Sequence, residues 1–359
     1  MNFKSDNEAP AHPHIMEALL KANDGYATAY SDDRYSRELN DRLSDWFGTE
    51  CQVLPISTGT AANCIALAEI IPPWGAVMCH QVAHIHNDEG GAPEFYTAGA
   101  KLMPLAGDHA RLDPEALAKA IDSAGVHGVH NVKPSVVSIT QATECGTCYR
   151  PEQIRAIAEV AQERGLPLHM DGARFANALT WLDVTPAEVT WQAGVDVLSL
   201  GLTKNGALNA EALVVFGHPE WLEGLERRRK RGGHLLSKMR YVSAQILAML
   251  EDDLALDLAR GANGRAAELA AVIEASSIAS LKWPVEANEV FIQAEPGVLQ
   301  ALKDQGFEFH LWPGYTDVGR LVCSWNTEPA QIKAFAKALK TLNPQPLHRH
   351  PCLEQGPSD

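Results

Sequence analysis

Between residues 53 and 216, short runs rich in β-branched and other apolar residues alternate with segments of helical periodicity. Such alternation is typical of a mostly parallel sheet with helices on both faces. Seven runs have strand character: Val53–Ile56, Val77–Cys79, Lys101–Leu105, Val136–Ile139, Leu166–Met170, Val195–Ser199 and Ala212–Phe216. The clearest helix between them runs from Pro151 to Arg164, with proline at its first position and Gly165 as its stop. We therefore predict an α/β fold with a seven-stranded, mostly parallel sheet.

After Gly232-Gly233 the pattern changes to two long helices, predicted at 234–250 and 254–276. A short mixed unit follows, with the order strand 289–293, helix 297–305, strand 307–311, strand 320–325 and helix 330–342. It predicts a small C-terminal α+β domain. The predicted organisation is an N-terminal arm with the first helix (1–35), a large α/β domain (36–250), the small domain (251–343) and a proline-rich, disordered tail (344–359).

Composition excludes several classes of function. The formal charge of −15 argues against nucleic-acid binding, which depends on clustered basic residues. The sequence has neither the apolar core of a signal peptide nor an uninterrupted apolar stretch of roughly 18 residues, so we expect a cytoplasmic protein that does not enter membranes. Seven scattered cysteines indicate reduced thiols. Cys145 and Cys148 have zinc or redox spacing without a second pair nearby, so we predict no metal site.

A loop rich in hydroxyl side chains follows the first predicted strand. Its sequence is Ser57-Thr-Gly-Thr-Ala-Ala-Asn63, and it opens a helical run. The backbone N–H groups and hydroxyls would converge on a helix N-terminus and could bind an anion. Ordinary helix capping explains the same pattern, so the loop alone leaves both readings open.

Two ionisable residues occupy positions where open α/β folds bind ligands. Asp171 comes directly after a strand, either as a helix N-cap or as a carboxylate that pairs with a pyridinium nitrogen. Arg174 follows within one turn. Lys204 lies in a glycine-flanked loop, where a desolvated amine could form an imine with an aldehyde. The order of anion loop, strand-end aspartate and loop lysine within one α/β domain favours the functional readings.

The sequence also resembles a known family, the threonine aldolase and β-eliminating lyase group of fold-type I pyridoxal-phosphate enzymes. The resemblance covers nearly the whole chain, and Asp171-Gly-Ala-Arg-Phe-Ala-Asn177 is its most specific segment. The other matching segments are Ser5-Asp6, Tyr30-Ser-Asp-Asp33, Glu38-Leu39, Ser57–Asn63, His84-Ile-His-Asn-Asp-Glu89, Thr203-Lys204 and Gly319-Arg320.

The resemblance implies pyridoxal 5'-phosphate as cofactor and gives each motif a role. Thr58, Gly59 and Thr60 would hold the phosphate. His84 would stack on the pyridine ring, Asp171 would pair with its nitrogen, and Lys204 would carry the cofactor covalently. Glu89 would lie near the reacting hydroxyl. The implied substrate-binding residues, with Arg174 also near the cofactor, are Ser5, Tyr30, Gln141, Arg174 and Arg320.

The implied activity is reversible cleavage of L-β-hydroxy-α-amino acids, such as L-threonine, L-allo-threonine or phenylserine, to glycine and an aldehyde. The alternatives are β-elimination, glycine hydroxymethyl transfer or transamination, or a catalytically idle binding protein of the same fold. The family also implies that a basic residue in the run 227–231 reaches the phosphate of a neighbouring subunit, although a solvated helix face is the simpler explanation of that run. Because Ser5, Tyr30 and this run would close over one site, we expect a homodimer or homotetramer.

One position departs from the family pattern. Gln141 stands where many members have a histidine, and an amide cannot accept a proton near neutral pH. The candidates for the base at the substrate β-hydroxyl are then His84, His86, Glu89 or a water that they hold. A histidine has the better-matched pKa, and we predict His84.

Overall fold

The computed structural model describes residues 1–342. The tail predicted to be disordered, 344–359, lies outside the described residues. Within 1–342, none of the helices combines the length and the apolar character that a membrane crossing requires.

The large sheet confirms the predicted α/β fold. Its strands are β1 (Cys51–Ile56), β2 (Gly75–His80), β3 (Lys101–Leu105), β4 (Lys133–Thr140), β5 (Leu168–Gly172), β6 (Val197–Gly201) and β7 (Glu211–Phe216). They lie in the order β1-β7-β6-β5-β4-β2-β3. Only β7 runs against its neighbours in this sheet. The C-terminal ends of β1, β4, β5 and β6 therefore meet at one edge.

Thirteen α-helices surround the two sheets within the described residues. They are α1 (Pro13–Ala22), α2 (Arg34–Phe47), α3 (Gly59–Ile70), α4 (His84–Asn87), α5 (Ala92–Tyr96), α6 (Pro114–Ser123), α7 (Pro151–Gln162), α8 (Phe175–Leu182), α9 (Leu222–Arg231), α10 (Arg240–Leu250), α11 (Leu254–Glu274), α12 (Pro296–Asp304) and α13 (Pro329–Leu342).

Both faces of the large sheet are covered. One core contains side chains of α3 and α9, and a larger one contains side chains of α2, α7, α8 and α10. Strands β5, β6 and β7 are buried along their whole length, as expected for a mostly parallel sheet that is covered on both faces. Helix α7 begins at the predicted proline and buries Ile154, Ile157, Ala158 and Ala161 on one side.

The C-terminal unit is a second, antiparallel sheet. Its strands are β8 (Ala279–Leu281), β9 (Glu289–Ala294), β10 (His310–Leu311) and β11 (Val318–Val322), in the order β10-β11-β9-β8. The sequence did not predict β8. Strand β10 is shorter than the predicted 307–311, and Phe307 and Phe309 before it pack in the core of the small domain. The domain boundaries proposed from the sequence stay predictions.

The N-terminal arm is hydrogen-bonded to the small domain, and the residues that follow lie beside the large sheet. Phe3 is fully buried in the small core, and its N–H donates to the carbonyl of Glu308 at 2.8 Å. The carbonyl of Phe3 accepts the N–H of Val322 at 2.8 Å. Anchored at this point, the chain passes the edge of the large sheet with Asp6 buried.

One long predicted helix begins later than expected. Residues 234–239 form turns, and α10 starts only at Arg240. Gly233 has a φ of +82°, which ends the preceding helix α9. His234 is then held by the hydroxyl of Tyr96, 2.8 Å from its Nε2.

Candidate active site

A cavity of about 400 Å³ opens at the edge where β1, β4, β5 and β6 end. This edge is where open α/β sheets bind ligands. All the residues predicted for catalysis or cofactor binding line it, namely Thr58, Gly59, Thr60, His84, Glu89, Asp171, Arg174 and Lys204.

The N-terminus of α3 forms one wall. Thr58 has extended backbone, and its Oγ1 accepts the N–H of Ala61 at 3.2 Å, so that α3 begins at Gly59. A methyl group at Gly59 would have no atom within 4 Å, which leaves the space before the helix open. Ser57 and Thr60 also line the cavity. Hydroxyls and first-turn N–H groups thus face the same space, as an anion requires.

A chain of hydrogen bonds joins Asp171 to His84. The Asn63 side-chain amide donates to Asp171 Oδ2 at 2.8 Å and to Glu89 Oε1 at 2.9 Å. Glu89 Oε1 also accepts from His84 Nδ1 at 2.9 Å. This bond to Glu89 raises the pKa of His84 although burial opposes it, so the ring tends towards its charged form. Glu89 therefore orients His84 at the cavity wall.

Behind Asp171, the same strand carries a buried histidine. The hydroxyl of Ser138 lies 2.9 Å from His169 Nδ1, and that of Ser199 lies 3.1 Å from Nε2. Burial lowers the pKa of His169 to about 4, although the Asp171 charge acts in the other direction. The ring is therefore neutral at neutral pH and packs as a hydrogen-bonded spacer between β4 and β6.

Lys204 lies on a short 3₁₀ turn after β6. The side-chain amide of Asn205, in the same turn, donates to the carbonyl of Ala255 in α11 at 2.7 Å and so fixes the position of the turn. Glu211, at the start of β7, borders the same cavity and accepts the N–H of Leu202 at 3.0 Å. Burial raises the pKa of Glu211 to about 7, against the opposing effect of the Lys204 charge.

Arg174 is paired with two buried carboxylates. Its Nε and Nη2 donate to Asp6 at 2.8 and 3.0 Å, and its Nη1 lies 3.2 Å from Glu289 Oε2. Burial alone would raise the pKa of Asp6, but the charges of Arg174 and Lys204 hold it below its ordinary value. Arg320 Nη1 lies 3.6 Å from Glu289 Oε1, so this cluster connects the arm, the large sheet and the small domain.

The other predicted substrate-binding residues do not line the cavity of the single chain. Ser5 borders a separate cleft near β11, where its Oγ accepts the N–H of Asn7 at 3.2 Å. Tyr30 is half exposed on the surface, with Lys230 Nζ 4.4 Å from its ring centre. Arg320 adjoins the cavity only through its cluster with Glu289 and Arg174.

The assignment of Gln141 to substrate binding is corrected. Its side chain is fully buried, and both ends of the amide are engaged by the backbone of Tyr149. Gln141 Nε2 donates to the Tyr149 carbonyl at 2.8 Å, and Oε1 accepts the Tyr149 N–H at 2.9 Å. The amide therefore closes a loop after β4 and does not line the cavity.

Residues at this site that the sequence analysis missed as individual site residues include Asp6, Asn63, Thr140, Glu144 and Glu211. Asp6 and Asn63 stand inside segments already recognised as family motifs. Glu144 follows β4 at the sheet edge, and this position is the signal that could have identified it. Glu211 begins a strand that runs against its neighbours, so its strand start falls at the edge where the others end.

The basic run 227–231 is mostly paired within the chain. Arg227 pairs with Glu223 and Arg228 with Glu69. Arg229 is buried and donates to the carbonyl of Pro55 at 3.2 Å. Lys230 instead lies over the exposed ring of Tyr30. Tyr30 and the basic run, which the family resemblance implies close over the site, thus meet at one surface patch.

Cys145 and Cys148 are both buried and unpaired. The Cys148 thiol donates to the carbonyl of Glu286 at 3.1 Å. Burial raises the pKa of both thiols, so neither is a reactive thiolate near neutral pH.

Comparison with known proteins identifies similar chains. A family model described as beta-eliminating lyase matches residues 2–295. The low specificity L-threonine aldolase of a Pseudomonas species is 40% identical, over 95% of this chain and 97% of that protein. The corresponding protein of Pseudomonas aeruginosa is 39% identical with the same coverage. Among solved structures, a threonine aldolase of Leishmania major superposes with a TM-score of 0.87 at 28% identity, over 95% of this chain and 99% of that one.

Proposed function

The chain belongs to the β-eliminating lyase family, in the group of the low specificity L-threonine aldolases, and we propose from this premise how its cavity serves that activity. It is a lyase that cleaves the Cα–Cβ bond of L-β-hydroxy-α-amino acids to give glycine and an aldehyde. We propose L-threonine, L-allo-threonine and phenylserine-like amino acids as its substrates. The observation that carries the proposal is that Lys204, Asp171 and His84 line one cavity at the sheet edge.

The residues of the cavity fit pyridoxal 5'-phosphate as cofactor. The N-terminus of α3 with Thr58, Gly59 and Thr60 would hold the phosphate, Lys204 the aldehyde carbon, and Asp171 the ring nitrogen. Asn63 Oδ1, a buried atom of the cavity wall, has no hydrogen-bond partner within the described residues, as expected beside a polar ligand. When bound, this cofactor supplies a sink for the electron pair released at the substrate α-carbon.

The chain's own residues orient the reacting groups. Asp171 is fixed by Asn63 and by the N–H of Ala173, which donates to Oδ1 at 3.0 Å. A carboxylate held in this way favours a protonated ring nitrogen, because opposite charges in a buried site stabilise each other. His84, oriented by Glu89, would lie against one face of the ring.

Arg174 and Arg320 remain our candidates for binding the substrate carboxylate. In the single chain both face Glu289, and Arg174 also pairs with Asp6. Since a substrate carboxylate would have to share or replace these partners, Asp6 and Glu289 set how strongly the two guanidinium groups bind it. Their pairing also keeps both guanidinium groups in place before substrate arrives.

A second copy of the chain would complete the site. Acidic side chains outnumber basic ones in the lining of one cavity, which is unfavourable for a phosphate. Tyr30 and Lys230 form an exposed patch outside that cavity. We infer that in a homodimer or homotetramer this patch closes over the cavity of the neighbouring subunit and adds positive charge there.

Product analysis tests the activity. Purified holoenzyme incubated with L-threonine should release equal amounts of glycine and acetaldehyde without added folate. 2-Oxobutanoate and ammonia would instead indicate β-elimination, and folate-dependent release of glycine from L-serine would indicate hydroxymethyl transfer. A Lys204→Ala variant is the control, because it should lose both the products and the near-visible absorbance of the bound cofactor.

A further inference from the structure

Glu144 has the most unusual environment of the carboxylates around the cavity. It follows β4, and its Oε1 accepts two hydrogen bonds, from Thr140 Oγ1 at 2.8 Å and from the backbone N–H of His84 at 2.8 Å. Its Oε2 is shielded from water and has no partner within residues 1–342. Thr140 and Glu144 both line the cavity, and the Thr140 hydroxyl is hydrogen-bonded to the carboxyl there.

The other groups that could accept the β-hydroxyl proton either have hydrogen-bond partners already or lie outside the cavity. His84 Nδ1 is bound to Glu89, and this bond favours the charged ring, which is a poor proton acceptor. Glu89 accepts from Asn63 and His84 on Oε1 and from the Cys64 thiol on Oε2, at 3.8 Å. Gln141 is closed off by Tyr149. His86 is exposed and does not line the cavity.

Glu144 can change its protonation state near working pH. Burial raises its pKa to about 7, with a smaller contribution from the negative charge of Asp171. Its hydrogen bonds from Thr140 and His84 act in the opposite direction. The titratable groups around it on the packed elements are Cys79, His84, Cys145, Tyr149, Asp171 and Arg174.

We propose that Thr140 and Glu144 form a two-residue relay that takes the β-hydroxyl proton of the substrate. This inference rests on the aldolase function proposed above. Thr140 Oγ1 accepts the substrate proton while its own proton passes to Glu144 Oε1. The electron pair of the substrate O–H bond becomes the second carbon–oxygen bond of the aldehyde. The Cα–Cβ bond breaks, its electron pair stays with the α-carbon, and one proton added there gives glycine.

Conservative variants separate the relay from a structural role. Glu144→Gln keeps an oxygen that can accept from Thr140 and His84 but cannot take up a proton. Thr140→Val removes the hydroxyl at nearly constant volume, and Thr140→Ser restores it. Each holoenzyme is measured for cofactor affinity by absorbance titration, for exchange of the glycine α-proton in heavy water, and for cleavage of L-threonine. The exchange uses the same α-carbon but has no β-hydroxyl proton to remove.

The relay predicts that the variants lose cleavage activity but keep cofactor affinity and glycine exchange. Cleavage by Glu144→Gln and Thr140→Val should fall on the order of 100-fold, the usual contribution of a positioned proton acceptor. Their cofactor affinity and glycine exchange should stay within about twofold of wild type, as for changes that leave the α-carbon chemistry intact. Thr140→Ser should retain most of the cleavage. The decline of wild-type kcat as pH falls through about 7 should be absent in Glu144→Gln.

Two results would overturn the relay while leaving the aldolase function intact. One is wild-type cleavage and an unchanged pH profile in Glu144→Gln. The other is an equal loss of cofactor affinity, exchange and cleavage, which would make Glu144 a support for His84 only. If wild type itself releases no glycine from any β-hydroxy amino acid, the proposed function fails, and the relay fails with it.

Discussion

The position of Asp171 is set by its neighbours in space rather than by the helix that follows it. The sequence left open whether it caps the next helix. Its Oδ1 accepts the N–H of Ala173, whereas Oδ2 is bound by Asn63 from α3. The carboxylate is thus buried and hydrogen-bonded on both oxygens.

Replacing Asp171 by asparagine should preserve the fold and reduce kcat on the order of 100-fold or more, because a neutral amide no longer favours a protonated ring nitrogen. Steady-state cleavage of L-threonine measures the loss, and thermal unfolding of the same sample controls for the fold. Turnover near wild type would remove Asp171 from the mechanism.

His169 predicts how stability depends on pH. Its pKa is about 4 in the folded chain and about 6.5 when exposed, so between these values the unfolded state binds a proton that the folded state does not. Stability is therefore full above pH 6.5 and falls on acidification, with a slope on the order of 1.4 kcal/mol per pH unit from this group. Urea unfolding of wild type and His169→Gln between about pH 7 and 5 should show a steeper loss in wild type. Equal slopes would contradict the prediction.

At the level of elements, the turn that carries Lys204 depends on close contact between the end of β6 and the segment that follows β5. A methyl group at Gly201, where β6 ends, would lie 2.7 Å from Ala173 Cα and 2.8 Å from its carbonyl oxygen. Since Ala173 follows Asp171, this contact sets the spacing between the segment that carries Lys204 and the one that carries Asp171. Only glycine allows the two backbones to approach this closely.

Gly201→Ala should therefore destabilise the protein by about 1–3 kcal/mol through overpacking and should weaken cofactor binding, because it pushes the two segments apart. Gly264→Ala is the matched control. It lies inside α11, where a methyl group would meet nothing within 4 Å, and should be neutral or stabilising by up to about 1 kcal/mol. Urea unfolding and cofactor titration of both variants compare the two sites. Equal behaviour would show that the β6 contact is not required.

For the whole molecule, the proposed sharing of sites between subunits can be tested by mixing variants. Lys204→Ala alone and the double variant Tyr30→Ala/Lys230→Ala should each be inactive or nearly so. In a mixed dimer, the cavity of the double variant has its own Lys204 and receives Tyr30 and Lys230 from its partner. Mixtures refolded together should recover about a quarter of wild-type activity, because random pairing makes about half of the dimers mixed and each has one intact site.

No recovery on mixing would show that the patch acts within its own chain, and wild-type activity of the double variant alone would show that the patch has no role in catalysis. Light scattering of the wild type completes the test, since an active species of 39.0 kDa, the mass of one chain, would exclude shared sites.

The sequence by itself determined the secondary-structure elements and several of the candidate site residues that they carry. Strand and helix periodicity, proline starts and glycine stops are local properties, so the seven strands of the large sheet and helix α7 could be predicted within a few residues. Strand direction then places Asp171 and the Ser57–Asn63 loop at one edge. The roles predicted for His84 and Arg320 came only from the family motifs, because nothing in their local pattern distinguishes them from structural residues.

The tertiary structure decided which distant groups meet. The pairing of Asp6 with Arg174 joins residues 168 positions apart, and no periodicity encodes such a contact. Gln141 occupies the position of a family histidine. Its side-chain amide is nevertheless hydrogen-bonded at both ends to the backbone of Tyr149, eight residues further along the chain. Glu144 looks like any loop carboxylate until burial and the contacts of Thr140 and His84 set its environment. Partners and desolvation arise only when separate elements pack, so the geometry of the site follows from the fold and not from the local sequence.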